Sequence, residues 1–220
     1  MQVHFLSHYY TEQPNQSPFF VAGLGIPDLT PGFARIHNSI ILKKPAPEQD
    51  DLKEIHQGIV RHYAGDKWFH ASALFAKHVS LFCSAFLKEG LDRERLRLSV
   101  IAHIAVEMMI DRQIMLTERI VCERFYEKIM MADEKMLLCY FDFLKLGKEK
   151  NVFISRFGFF KEKKFLFLFE EIEKMVFGVD RIYSTVTQTK FTNEEKDKFI
   201  AAFHNMDAQI RYSWKQLLKP

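Results

Sequence analysis

Imidazoles and carboxylates recur at four-residue spacing in three places along the chain: His4-x3-His8, His62-x3-Asp66-x3-His70 and His103-x3-Glu107-x3-Asp111. Residues four apart sit about one turn apart on one helix face, so each run can present its side chains in one direction. Asp28, in Gly25-Ile26-Pro27-Asp28, adds a carboxylate beside a proline that stiffens the backbone. Imidazole nitrogen with carboxylate oxygen is the donor chemistry of a borderline divalent ion such as Mn, Fe or Zn. The carboxylates offset its charge and the imidazoles raise selectivity over Mg. Eight of the nine histidines lie at positions 4 to 103 and only His204 follows, so any such site belongs mainly to the N-terminal half.

Each pattern has a plainer explanation beside the chemical one. Eight residues of helix accumulate only about 80° of rotation and about 12 Å of rise. One ion would therefore reach two neighbours among His62, Asp66 and His70, while all three would suit a cluster; a break at Gly65 would change this, and an ordinary surface pair is the alternative. Glu107 and Asp111 fall in the most hydrophobic stretch of the chain, where a desolvated carboxylate must be paired, hydrogen-bonded or metal-bound. The plain alternative there is an internal ion-pair network with Arg112 or Arg119. His37, His56, His78 and His204 read as packing or surface residues.

The elements that must position these groups read as helices. Six of the seven prolines fall between residues 11 and 50, which makes that stretch mostly loop, with Phe19 to Ile26 a short helix or a buried turn. From Asp51, the spacing of Leu52, Ile55, Ile59 and Tyr63 predicts the first long helix. A second follows through Leu87 to a stop at Gly90, and Leu96 to Arg119, free of Pro and Gly, reads as one deeply packed helix. Further helices are expected at 120–131, 133–146 and 165–183, with turns near Gly147, Gly158 and Gly178 and solvated turns at Lys148-Glu149-Lys150 and 161–164. The last helix opens on Thr192 with Glu195 as capping-box partner. Residues 157–169, rich in aromatics, are the one segment that could be strand. The expectation is an all-α fold.

Composition bounds the rest. At 220 residues and 48% hydrophobic, the chain can bury a substantial core as one compact domain or two small ones. Cys83, Cys122 and Cys139 match neither a disulfide scaffold nor a thiolate metal site, so a reducing, cytoplasmic setting is expected. No signal-peptide pattern opens the sequence and no apolar run is long enough to span a membrane. A net charge of +3 gives no footprint for nucleic acid, and there is neither a phosphate-binding glycine loop nor a nucleophile elbow.

The segments His4-Phe5-Leu6-Ser7-His8, Ala22-Gly23-Leu24-Gly25-Ile26-Pro27-Asp28 and Gly58-Ile59-Val60-Arg61-His62-Tyr63-Ala64-Gly65-Asp66 resemble, in that order, the motifs of acyl carrier protein phosphodiesterases, which look like members of the wider HD-domain metallohydrolase group. Those motifs are an Asn-Phe-Leu-Ala-His-like opening, a Gly-Asn-x-x-x-Asp-like segment and Gly-Ile-x-x-His-x-x-x-Asp. A Trp-Asp-His-like element falls at Ile110-Asp111-Arg112, so Asp111 is kept and Arg112 stands in place of histidine; no Asn follows Gly23 or Gly25.

The resemblance implies an HD-like helical core, a Mn-like ion (Fe or Zn next), and hydrolysis of a phosphodiester, in the best-known case the link between phosphopantetheine and a carrier-protein serine. It implies one domain over residues 1–220, with the motifs in 1–119 and a helical remainder in 120–220. His8, Asp28, His62, Asp66 and Asp111 carry over as metal positions. Spacing in this chain adds Glu107 as a ligand and His70 or His103 as the group that orients water or protonates the leaving oxygen, one of His103 and Glu107 replacing the lost histidine. Arg61 or Arg112 would neutralise phosphate. Two other functions compete: a non-catalytic helical binding protein on a degenerate scaffold, and a non-haem iron oxidoreductase.

Overall fold

The computed structural model describes residues 4–12, 15–30, 32–33, 37 and 41–219, and among them every regular element is a helix. The α-helices are α1 Phe5–Thr11, α2 Pro18–Leu29, α3 Asp50–His70, α4 Ala73–Lys88, α5 Leu98–Thr117, α6 Arg119–Met131, α7 Glu134–Leu144, α8 Gly147–Lys163, α9 Ile172–Thr187 and α10 Asn193–Leu217, with a 3₁₀ turn at Phe165–Glu170. The fold is all-α. None of these helices is long and apolar enough to cross a membrane.

Local chemistry explains where they begin. Ser17 Oγ accepts the Phe20 N–H at 3.1 Å ahead of Pro18, so the Phe19–Ile26 segment is helix rather than turn. Ser72 caps α4, and Thr192 with Glu195 forms the expected reciprocal capping box of α10. Gly90, at φ 75°, ends the α4 segment, its N–H and that of Leu91 returning to the carbonyls of Leu87 and Phe86.

Four expectations are corrected. Residues 157–169 hold no strand: Phe153, Phe157 and Phe160 are all buried on α8, and that spacing is the period of a helix, so the aromatic richness serves a helical face. The segments 148–150 and 161–164, expected as turns, are largely the first and last turns of α8; Lys161 and Lys163 lie at its C-terminal end, where cations suit the helix dipole. Gly158 is interior to that helix. The expected helix over 165–183 starts instead with the 3₁₀ turn and becomes α-helical at Ile172.

The chain divides into two compact units that are discontinuous in sequence. Of the described residues, unit A comprises His4, 68–118 and 166–219, and unit B comprises those within 5–67 and 119–165. In unit A, α5 packs against α4, α9 and α10, and Phe82, Phe86, Phe199 and Phe203 stack along the α4/α10 seam. Nearly every residue of α5 from Leu98 to Met115 is buried, as expected of a helix apolar all round. In unit B, α2 packs on α1, α6 and α8, and Phe5, Phe125, Tyr126 and Phe160 form an aromatic cluster.

Within unit B, α2 and α3 cross at backbone contact. A Cβ on Gly58 would stand 2.2 Å from the Phe20 carbonyl oxygen, and one on Gly23 would stand 2.4 Å from that of Ile55. No side chain fits at either place, so the two glycines set how close Leu24 and Asp28 of α2 come to His62 of α3. The helix then runs unbroken through Gly65, where the absent side chain leaves room for the His8 ring: a Cβ there would lie 3.1 Å from His8 Nδ1.

Candidate metal centres

In unit B, His8 of α1, Asp28 of α2, and His62 and Asp66 of α3 are all buried and close together. His8 Nε2 lies 3.2 Å from Asp66 Oδ1, and His62 Nε2 lies 3.2 Å from Asp66 Oδ2 and 3.9 Å from Asp28 Oδ1. The two imidazole rings are 4.1 Å apart between centroids. His62 Nδ1 is 2.9 Å from the Leu24 carbonyl oxygen. A carbonyl only accepts, so Nδ1 carries the hydrogen and Nε2 is the atom turned toward the carboxylates. This is how a metal-ligating histidine is oriented, with its second nitrogen tied to a carbonyl that fixes tautomer and ring plane.

In unit A, three imidazoles surround the fully buried carboxylate of Glu107. His70 Nε2 and His103 Nε2 each lie 3.0 Å from Glu107 Oε1, and His4 Nε2 lies 3.8 Å from it. The ligand atoms of His4, His70 and Glu107 all fall within 4.8 Å of one another. Burial pushes the Glu107 carboxyl up, but hydrogen bonds from His103 and His70 and the nearby His4 charge prevail and hold it well below the usual carboxylate range. The rings are packed among aromatics: His70 stacks on His103 at 4.7 Å, Phe75 meets both edge-on at 5.0 and 4.9 Å, and Phe69 lies 5.1 Å from His4.

Donors held about 2.0 to 2.2 Å from one ion stand roughly 3 to 4.4 Å from one another. The N···O distances given above, 3.0 to 3.9 Å, fall in that range, and the donors are imidazole and carboxylate, the chemistry of a divalent ion. Comparison with protein-family models, with curated proteins and with solved structures returned no match. The buried His/Asp clusters, which resemble an HD-like metal-binding helical core, thus carry the functional reading: they are consistent with a metal-dependent, hydrolase-like helical protein.

The residues singled out from sequence are thus sorted by unit. His62 and Asp66 pair as the four-residue spacing suggested, and within unit A His70 meets Glu107. His103 and Glu107 pair one turn apart, and Asp111, also fully buried, lies a turn further along α5. Arg112 is buried, with Nη1 on Asp207 Oδ1 at 2.5 Å and Nη2 on the Glu170 carbonyl at 3.3 Å; Gln113 joins the same aspartate at 2.8 Å. That guanidinium is committed to holding α5 against α10. Arg61 is half exposed and paired with Glu12 at 2.9 Å.

Sequence reasoning left His4 undecided, and it belongs with Glu107. The histidines read as packing residues are tied to hydroxyl, carbonyl or carboxylate groups. His78 bonds Leu74 O and Ser213 Oγ, both at 2.8 Å, His56 bonds the Tyr140 hydroxyl at 2.8 Å, and His37 faces Glu149 at 3.3 Å.

Proposed function

We propose that the chain is a metal-dependent phosphoester hydrolase whose ion is held in unit B by His8, Asp28, His62 and Asp66, with a phosphodiester such as the phosphopantetheine link of a carrier protein as the substrate class. The observation that carries this is the His62 ring. With Nδ1–H given to Leu24 O, Nε2 faces two carboxylates, and it must present either a proton or a lone pair shared with a cation. His8 Nε2 converges on the same Asp66. Two protonated imidazoles with centroids 4.1 Å apart would repel, whereas one divalent ion satisfies both nitrogens and both carboxylates.

When bound, such an ion supplies a water nucleophile at neutral pH and charge stabilisation for a phosphoryl oxygen. The chain's own residues do the rest. Leu24 O and the Gly65 gap fix the two rings, and Asp28 and Asp66 supply two carboxylates of compensating charge, which favours a hard ion such as Mn. Arg61, one position before His62, is the candidate phosphate contact. The motif resemblance also names Asp111, which lies in unit A, and Asp111→Asn, read by ion content, tests that residue by itself.

The deciding experiment incubates the chelator-stripped, Mn-reloaded protein with bis(p-nitrophenyl) phosphate and with a phosphopantetheinylated carrier protein. Hydrolysis that requires Mn and falls by about three orders of magnitude in Asp66→Asn is expected, matching several kcal/mol of ion-derived stabilisation. No hydrolysis of either substrate with Mn bound would end the enzyme proposal.

A further inference from the structure

The structure assigns a further divalent-ion site to His4, His70 and Glu107 of unit A, with the part-exposed His103 as the fourth donor. It depends on nothing in the hydrolase proposal, since a chain that hydrolysed no phosphoester could still load this ion.

Three observations carry it. The first is convergence: three Nε2 atoms, from the start of the chain, the end of α3 and the middle of α5, face one carboxylate oxygen at 3.0, 3.0 and 3.8 Å. The His4, His70 and Glu107 ligand atoms all lie within 4.8 Å of one another, so small ring movements bring them onto one ion. A carboxylate buried inside an apolar helix could be satisfied by one cationic partner, so three imidazoles exceed what neutralisation demands. The second is the surrounding shell. Phe69 and Phe75 pack against the rings, restricting their rotation and lowering the local dielectric, and such an apolar shell is part of how a site holds its metal. The third is a gradient of exposure. Glu107 and His4 side chains are 0% and 3% exposed, His70 20% and His103 34%, so the donors lead from the surface inward and give an ion a way in.

The donor set also selects the ion. Imidazole nitrogens outnumber the single carboxylate, a composition that suits Zn(II) or Fe(II) over Mg or Ca. If all four residues bind, a tetrahedral ion is closed; an ion of higher coordination completes its shell at the exposed His103 side.

Cobalt(II) is the probe, because its visible absorption reports coordination independently of any turnover. The full-length chain, stripped and titrated with Co(II), is expected to take up two ions, by elemental analysis, with an intense visible band from the nitrogen-rich site. Glu107→Gln should lose one ion and that band, and Asp66→Asn should keep the band and lose the other ion. His103→Ala, at the exposed rim where folding is least at risk, should weaken the band-forming site at least about tenfold, since losing even an outer partner of a ligand costs 10–100-fold. A wild type with no ion that Glu107→Gln removes, or a band unchanged in both Glu107→Gln and His103→Ala, overturns the assignment and leaves a hydrogen-bonded His/Glu cluster. Retention of the band in a protein inactive on phosphodiesters would sink the hydrolase proposal alone.

Discussion

The two polar clusters are built from the same residue types in opposite proportions. In unit B, two carboxylates and two imidazoles share a space opened by glycines; in unit A, one carboxylate and three imidazoles share a space walled by phenylalanines. The first concentrates negative charge and favours a hard ion, while the second concentrates nitrogen and favours a softer one. Their construction differs too. The unit B cluster depends on backbones approaching closely enough for a carbonyl to orient His62, whereas in unit A side-chain stacking orients the rings. The same chemistry can thus be positioned by removing atoms or by adding them, and each strategy fails to a different substitution.

Gly58→Ala should have the largest effect on this contrast. Alanine in an exposed helix interior ordinarily gains about 1 kcal/mol over glycine. Here its methyl would stand 2.2 Å from the Phe20 carbonyl and 2.9 Å from the Leu24 nitrogen, and neither backbone atom can swing away. Overpacking of this kind costs about 3 kcal/mol, so the clash wins. Denaturant melts should show that loss, and ion content should fall by the unit B ion while the unit A ion remains. A protein that keeps both its stability and the unit B ion would show that the close crossing does not position His62.

Arg112→His, which restores the residue that the motif resemblance would place there, probes the other unit and should cost about 2 kcal/mol. The side chain removed is a mostly buried guanidinium bonded to Asp207 and to the Glu170 carbonyl, and the imidazole is too short to serve both. A melt unchanged by Arg112→His, with one more ion bound, would reverse the assignment of Arg112 to holding α5 against α10.

These two substitutions also mark what was legible in the sequence. The all-α fold was, because the spacing of Leu52, Ile55, Ile59 and Tyr63 and the Thr192 and Glu195 cap are local signals that packing reinforced. The pairing of His62 with Asp66 and of His103 with Glu107 was legible for the same reason, being one turn apart on one helix. What periodicity could not reveal was partnership across long separations. It did not attach His4 and His70 to Glu107, nor Arg112 to Asp207, because nothing in a four-residue step says which other helix will face it. Glycines were the least legible residues: the sequence left open a break at Gly65, which proved to be a recess for His8, and Gly158 read as a turn and lies within α8.

A smaller effect separates the units by acidity. Burial, and after it the charge of Lys44, hold the His56 imidazole below its ordinary value, and its Nδ1 bonds the buried Tyr140 hydroxyl. The folded value is depressed below the unfolded one of about 6.5, so the unfolded chain takes up the proton first as pH falls. The stabilisation is therefore full above that value and is lost as pH drops toward the folded one. Between about pH 7.5 and about pH 5.5, wild type should lose more thermal stability than His56→Gln, which keeps a polar partner for Tyr140 without the titration. Equal losses would mean that the acid sensitivity of unit B arises elsewhere.

The smallest expected change has the opposite sign and isolates what makes Gly58 special. Gly158 lies in the middle of α8, also in unit B, and a Cβ built on it meets no atom within 4 Å. Nothing there opposes the entropic advantage of alanine, so Gly158→Ala should stabilise the protein by about 0.5–1 kcal/mol. It should leave the content of both ions unchanged, because α8 supplies no donor to either cluster. Two glycine-to-alanine changes in one unit, one destabilising with ion loss and the other stabilising without it, would locate the effect in the α2/α3 crossing. If Gly158→Ala also displaced an ion, general softness of unit B would explain both results, and the backbone contact at Gly58 would lose its particular role.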